Sequence, residues 1–125
     1  MYKLGLRREL DARHFLVGGD WGVENDPHSH HYRVEVRLKG ATLDEHDYLV
    51  DLVQVEAHLD DLVGFFEGKT LNDLPQFAGR NPSIELFSRI LCEELSSRLK
   101  ANNLSTITFK VWESDVAWAS YRKEL

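Results

Sequence analysis

Six histidines stand in this 125-residue chain, and three of them are spaced as metal ligands would be. His28-Ser29-His30 places two imidazoles two residues apart, and in a β-strand residues i and i+2 point to the same side. His14 ends an earlier alternating stretch, with the parity of that stretch's apolar face. If the two stretches pair, the three imidazoles converge at one end of a hairpin. Imidazole is a common zinc ligand, and catalytic zinc characteristically has three protein ligands with a fourth position open to water or substrate. Neutral ligands leave the ion its full double charge, which favours polarising a bound oxygen. The pattern alone leaves a second reading open, in which three separate histidines at a strand end are each satisfied by ordinary hydrogen bonds. Glu113 is the other chemical anomaly, a carboxylate in line with Ile107, Phe109 and Val111. Partly buried, it would accept two N–H bonds from an amidine-like ring edge, in the fork geometry carboxylates use with arginine. Solvated, it is only the last residue of its strand.

The elements that must position these groups follow from periodicity. Tyr2, Leu4, Leu6, Leu10, Ala12 and His14 alternate with Lys3, Gly5, Arg7, Glu9, Asp11 and Arg13, with Arg8 the one polar intruder on the apolar side. After a turn-rich stretch from Gly18 to Pro27, Tyr32, Val34, Val36 and Leu38 alternate with Arg33, Glu35, Arg37 and Lys39. The two strands are most simply paired antiparallel across that loop, in which Gly18-Gly19 and Trp21 are expected to shape a mobile segment near the histidines. Leu52, Val55, Leu59, Leu62, Val63 and Phe66 then recur at helical spacing, weakened by Gly64 and ended by Gly68. Leu71 to Asn81 reads as a loop, and Asn81-Pro82-Ser83 as the start of a second helix with proline in its first turn. Its stripe is Ile84, Phe87, Ile90, Leu91, Leu95 and Leu99, with Cys92 beside it as packing. Thr106–Glu113 is a third strand, Ser114-Asp115 a tight connection, and Val116 to Arg122 a fourth. The order β-β-α-α-β-β predicts a single α+β domain over residues 1–125, an antiparallel sheet with two helices on one face.

Composition narrows the function classes. The net charge is −6, from 15 Lys and Arg against 21 Asp and Glu, which argues against nucleic acid as a partner. One cysteine permits no intrachain disulfide, and the N-terminal residues lack the apolar core of a secretory signal. No run approaches the roughly 20 apolar residues that span a bilayer. A cytoplasmic protein with no membrane partner is the expectation. His31 has the opposite parity to the ligand pair, His46 lies in a polar turn and His58 flanks a helix stripe, so none of these is expected to bind metal.

Several motifs stand in a recognisable order: Ala12-Arg13-His14, His28-Ser29-His30-His31-Tyr32, Leu71-Asn72-Asp73, Asn81-Pro82-Ser83-Ile84-Glu85 and Trp112-Glu113. Together they resemble the 6-pyruvoyltetrahydropterin synthase and 6-carboxytetrahydropterin synthase family, over essentially the whole chain. The resemblance implies the tunnelling fold, whose subunits assemble around a barrel, commonly as a hexamer of two trimers, with substrate between subunits. It implies Zn2+ on His14, His28 and His30, a pterin ring anchored by Glu113 with Ser83 beside it, and 7,8-dihydroneopterin triphosphate as the usual substrate. Such enzymes are lyases of queuosine or folate biosynthesis.

The chain departs from the family where protons should move. The usual cysteine four residues before the first His of the His-Gly-His run is Glu24, and the middle glycine is Ser29. The family's Leu-Asp-His run falls on Phe66-Glu67-Gly68, or in another alignment on Leu59-Asp60-Asp61; neither carries the histidine. Glu24 and Glu67 become the candidate acid/base residues, since burial and a neighbouring metal can tune a carboxylate for proton transfer. Three functions stay open: a lyase on dihydroneopterin triphosphate, an aldolase-like cleavage of a dihydroneopterin to 6-hydroxymethyl-dihydropterin with Glu24 as base, and a non-catalytic pterin- or purine-binding protein.

Overall fold

A computed structural model describes residues 1–100 and 102–125. Two strands of equal length open the chain, β1 (Tyr2–His14) and β2 (His28–Gly40), paired antiparallel so that Tyr2 faces Gly40, Leu10 faces Tyr32 and His14 faces His28. The alternation noted in the sequence is what sets this register. A slip of one residue would turn Leu10, Ala12, Tyr32, Val34 and Val36, all buried, to the other face. Helices α1 (Leu52–Phe66) and α2 (Ile84–Arg98) follow, then β3 (Thr106–Trp112) and β4 (Trp118–Glu124). The sheet order is β1-β2-β3-β4, every pair antiparallel. Helix α1 lies against β1, and α2 against β3 and β4, so both helices cover the same face. One core joins them, from Leu10, Tyr32, Val36, Ile107 and Phe109 on the sheet to Leu59, Leu62, Phe66, Phe87, Leu91 and Leu95 on the helices. The α+β expectation holds in order, pairing and layering.

Local chemistry explains the element ends and corrects some of the expected ones. Asp51 caps α1 by accepting from the Val53 and Gln54 amides, and Gly68 just beyond the helix takes φ +73, the left-handed turn that glycine permits at a helix end. Ser83 is the N-cap of α2, its hydroxyl accepting from Leu86 N–H at 3.1 Å, so Pro82 precedes the helix instead of opening it. The helix stops at Arg98 with Leu99 as its C-cap, and Leu99 still packs partly buried against the core. The connection between β3 and β4 is longer than expected. Ser114 Oγ accepts from both Val116 and Ala117 N–H, and Glu113 N–H donates to the Ala117 carbonyl, which delays β4 to Trp118. The loop after α1 holds two short 3-10 turns, Leu71–Asp73 and Pro75–Phe77, which plug Leu71 and Phe77 into the core.

Arg8, the polar intruder on the apolar side, reaches up to α1. Its Nε donates to Asp60 at 2.6 Å and Nη2 lies 3.7 Å from Glu56, so the guanidinium closes the edge of the core onto the helix. The helix-free face is rich in charge. Along one row Glu35 is held between Arg7 and Arg37, at 3.4 and 2.6 Å. At the far end Trp112 and Trp118 pack 6.0 Å apart with the Lys110 ammonium over both rings. Among the described residues no helix is long and apolar enough to cross a membrane.

Candidate metal centre

The hairpin of β1 and β2 delivers the three histidines as the parity argument requires. His14 and His28 are direct cross-strand partners, and His30 lies next to them on the same face, opposite Ala12. Ring centroids are 4.5 Å apart for His14–His28, 4.6 Å for His14–His30 and 4.9 Å for His28–His30. One ring nitrogen from each lies within 4.8 Å of the others, which makes this the group able to hold a metal ion among the described residues. Ala12 matters here by being small: opposite His30 it leaves the imidazoles room to lean together.

The electrostatics favour lone pairs over protons. His14 is buried, 5% exposed, and burial first, then the charges of His30 and His28, lower its pKa from 6.5 to about 4. It is therefore neutral at pH 7. Tyr32, directly beneath in the sheet and fully buried, lies with its hydroxyl 3.1 Å from His14 Nδ1. Burial, and then the Glu113 carboxylate, push the Tyr32 hydroxyl well above its ordinary pKa, so it stays protonated. In the tautomer whose Nδ1–H donates to the Tyr32 oxygen, Nε2 of His14 carries the lone pair, with the Pro82 carbonyl a second acceptor beside the ring. His28 Nδ1 lies 2.9 Å from the Asp26 carbonyl, which can only accept, so Nε2 is the free nitrogen of that ring too. Such outer partners fix the tautomer and aim of a metal-binding imidazole. All-imidazole donors with a remaining open side suit zinc.

Each other expected site residue has a definite place. Glu113 is half-buried just past β3, on the face of Val111 and close enough to Tyr32 to act on its titration. Ser83 is spent in part, because its oxygen caps α2 and only its O–H remains to donate. Glu24 lies exposed in a short turn, Gly22–Asn25, and its carbonyl accepts from Leu16 N–H at 2.9 Å, two residues beyond His14. Glu67 is not brought to the histidines within the subunit. Its carboxylate accepts from Asp11 N–H at 2.9 Å while Gly68 and Lys69 hydrogen-bond to the β1 edge, so it serves as an edge clamp three residues back from His14. His31 is on the opposite face, between Glu9 and Asp11, and is no ligand. Cys92 is buried with Sγ 3.6 Å from the Ile107 carbonyl, and burial raises its pKa to about 11. It is packing, as expected. Tyr32 is the contributor the sequence reading missed, since it counted there as one more apolar position on β2.

Compared with known proteins, the chain matches the family model described as 6-pyruvoyl tetrahydropterin synthase over residues 3–124. The chain belongs to the 6-pyruvoyl tetrahydropterin synthase family. Solved structures with this fold include the 6-pyruvoyl tetrahydropterin synthase of Caenorhabditis elegans, at TM-score 0.84 and 18% identity, covering 98% of this chain and 96% of that one. The Plasmodium falciparum enzyme of the same name superposes at TM-score 0.82 with 13% identity, covering 99% and 98%. A Plasmodium vivax 6-pyruvoyltetrahydropterin synthase, at TM-score 0.78 and 14% identity over 100% of both chains, is a variant in which a catalytic glutamate is replaced by alanine. No curated protein sequence matches the chain. The family's tunnelling fold is thus the fold of this chain, reached at low sequence identity.

Proposed function

We propose that this protein is a zinc-dependent lyase acting on a dihydropterin, 7,8-dihydroneopterin triphosphate or a close relative. The observation that carries the reading is the juxtaposition, on one sheet face, of three imidazoles able to hold an ion with Glu113 one step away beyond Tyr32. His14, His28 and His30 would hold the zinc ion, which would supply a Lewis acid for the oxygens of the pterin side chain. Glu113 accepts the paired N–H groups of the ring edge and so fixes which end of the substrate meets the histidines. Ser83 O–H donates to the same ring. Glu24 takes the carbon-bound proton and returns it at the neighbouring carbon as the leaving group departs. Support for a carboxylate in that role comes from its position, four residues before His28, and from the Plasmodium vivax relative whose catalytic residue is a glutamate. Glu67 is given no proton to move inside its own subunit, because the Asp11 amide holds it.

Both edge strands, β1 and β4, and the helix-free face support an assembly of this cytoplasmic protein into trimers or hexamers with sites between subunits. The test of function is to incubate zinc-loaded protein with 7,8-dihydroneopterin and with its triphosphate and to identify products by mass. A 6-pyruvoyl or 6-carboxy product bears the proposal out. A 6-hydroxymethyl-dihydropterin product favours the second reading, carbon–carbon cleavage with Glu24 as base, which the same substitution of glutamate for cysteine supports. Tight pterin binding with no turnover of either compound would overturn both. Zinc content of the purified protein beside its His28→Ala variant tests the ligands separately, and equal content would defeat them.

A further inference from the structure

Between β1 and β2 the chain runs through thirteen residues with no strand and one short turn, yet its beginning has no loose backbone. Asn72 accepts from Phe15 N–H at 3.0 Å and its Nδ2 donates back to the Phe15 carbonyl at 2.9 Å. Asn81 does the same to Val17, at 2.7 and 3.1 Å. Each side-chain amide thus pairs with both groups of a single residue, as a neighbouring strand would. Leu16, between them, donates to the Glu24 carbonyl at 2.9 Å, and its own carbonyl accepts from Asn25 Nδ2 at 3.0 Å. Asn25 also donates to the Gly19 carbonyl at 3.0 Å and accepts from Trp21 N–H at 2.8 Å. Every backbone N–H and C=O from Phe15 to Val17 is therefore paired, and all but one of those bonds comes from an asparagine side chain. Asn72 and Asn81 from outside the loop and Asn25 within it thus satisfy the backbone of this part-buried segment in place of a neighbouring strand.

What the loop carries gives the arrangement its point. Residue 14 at its start and residue 28 at its end are metal-ligand candidates, and Glu24 hangs on Leu16 by its own backbone. We infer that Asn25, Asn72 and Asn81 are positioning residues, which hold the segment from Phe15 to Asn25 as a fixed arm that sets Glu24 against the metal centre. The inference rests on the reading of Glu24 as the base. Proton transfer demands that its carboxylate meet a carbon-bound proton at hydrogen-bond range, and an error of about 1 Å in such a placement can cost on the order of 100-fold in rate. The asparagines touch neither substrate nor ion; they act through Glu24. The segment before the glycines, Phe15 to Val17, is thus fastened, while Gly18 to Glu24 lies exposed on the surface.

The experiment uses zinc-loaded full-length protein with Asn25→Ala and Asn81→Ala, beside Glu24→Gln. Amide hydrogen exchange is read at Phe15, Leu16, Val17 and Trp21, zinc is counted per chain, and kcat and KM are measured on the pterin substrate. The expected result is exchange faster by about 10-fold or more at Trp21 in Asn25→Ala and at Val17 in Asn81→Ala, with zinc content unchanged. In both, kcat falls by about 10- to 100-fold while KM stays within about 2-fold. Should Asn81→Ala fail to fold, Asn25→Ala, which leaves the entry to α2 untouched, still decides the matter. Unchanged exchange in Asn25→Ala, or faster exchange with wild-type kcat while Glu24→Gln is inactive, overturns the clamp and leaves the base in place. A fully active Glu24→Gln overturns the base, and the positioning role with it.

Discussion

In metal-free protein the three-histidine cluster should give the fold an acid weakness, with His14 at its centre. His14 is 5% exposed and its pKa is lowered from 6.5 to about 4, by burial first and by His30 and His28 next. In the unfolded chain the same imidazole takes up its proton as pH falls through 6.5; in the folded chain it resists until about 4. The folded state's preference for the neutral ring is thus fully present above 6.5, is lost progressively from there to about 4, and changes no further below. The gap corresponds to roughly 3 kcal/mol at most, a sizeable part of the few to about 15 kcal/mol that holds a domain together. Because the three rings interact, the loss belongs to the cluster, with His14 its most buried member. The assay is urea unfolding of chelator-treated protein at pH 7, 6, 5 and 4, for wild type and for His14→Gln at equal concentration. Carboxylates elsewhere titrate alike in both proteins and cancel in the difference. Wild type should lose up to about 3 kcal/mol more than the variant between pH 7 and 4. Zinc added back should stabilise wild type at pH 7 and progressively less as protons compete for the rings. Parallel stability curves for wild type and variant, within about 0.5 kcal/mol, would refute the claim that a neutral His14 is what the buried site demands.

Other perturbations probe the supports of the same site. Tyr32→Phe removes the partner of His14 Nδ1 in a fully buried place, and zinc affinity should fall by about 10- to 100-fold in competition with a chromophoric chelator. Gly40→Ala would drive a Cβ into the Asn103 carbonyl and to 2.7 Å from Leu49 Cδ1 at the β2 end, and should lower stability by about 1–3 kcal/mol, read from the urea midpoint. Cys92, raised to about 11 and fully buried, should stay unlabelled by iodoacetamide at pH 8 in folded protein and react fully in urea, as intact mass shows.

Why the sequence disclosed some of this and not the rest is a matter of range. Period-two alternation is a local property, and it carried β1, β2, their register and the shared face of His14, His28 and His30, because the sheet merely continues what each strand already encodes. Periodicity starts the strand after Ser114 two residues early for a reason of the same range: one hydroxyl taking two amides lengthens the turn, and no alternation encodes that. Tyr32 and the three asparagines were hidden differently. Tyr32 fits the apolar pattern of β2 without fault, and only the neighbouring strand turns its hydroxyl into the partner of an imidazole 18 residues earlier. Asn72 and Asn81 act on residues 57 and 64 positions away, where a side-chain amide stands in for a strand that the chain never forms. The three histidines of the candidate site are thus written in local pattern, while the groups that hydrogen-bond to them and to the loop between them are written across the fold. Glu67 shows the converse hazard. An ungapped count puts Glu67 at a catalytic position, and within the chain one of its carboxylate oxygens accepts from the Asp11 amide. Position in a motif nominates a residue for chemistry, but the hydrogen bond it is left free to make decides whether it can perform it.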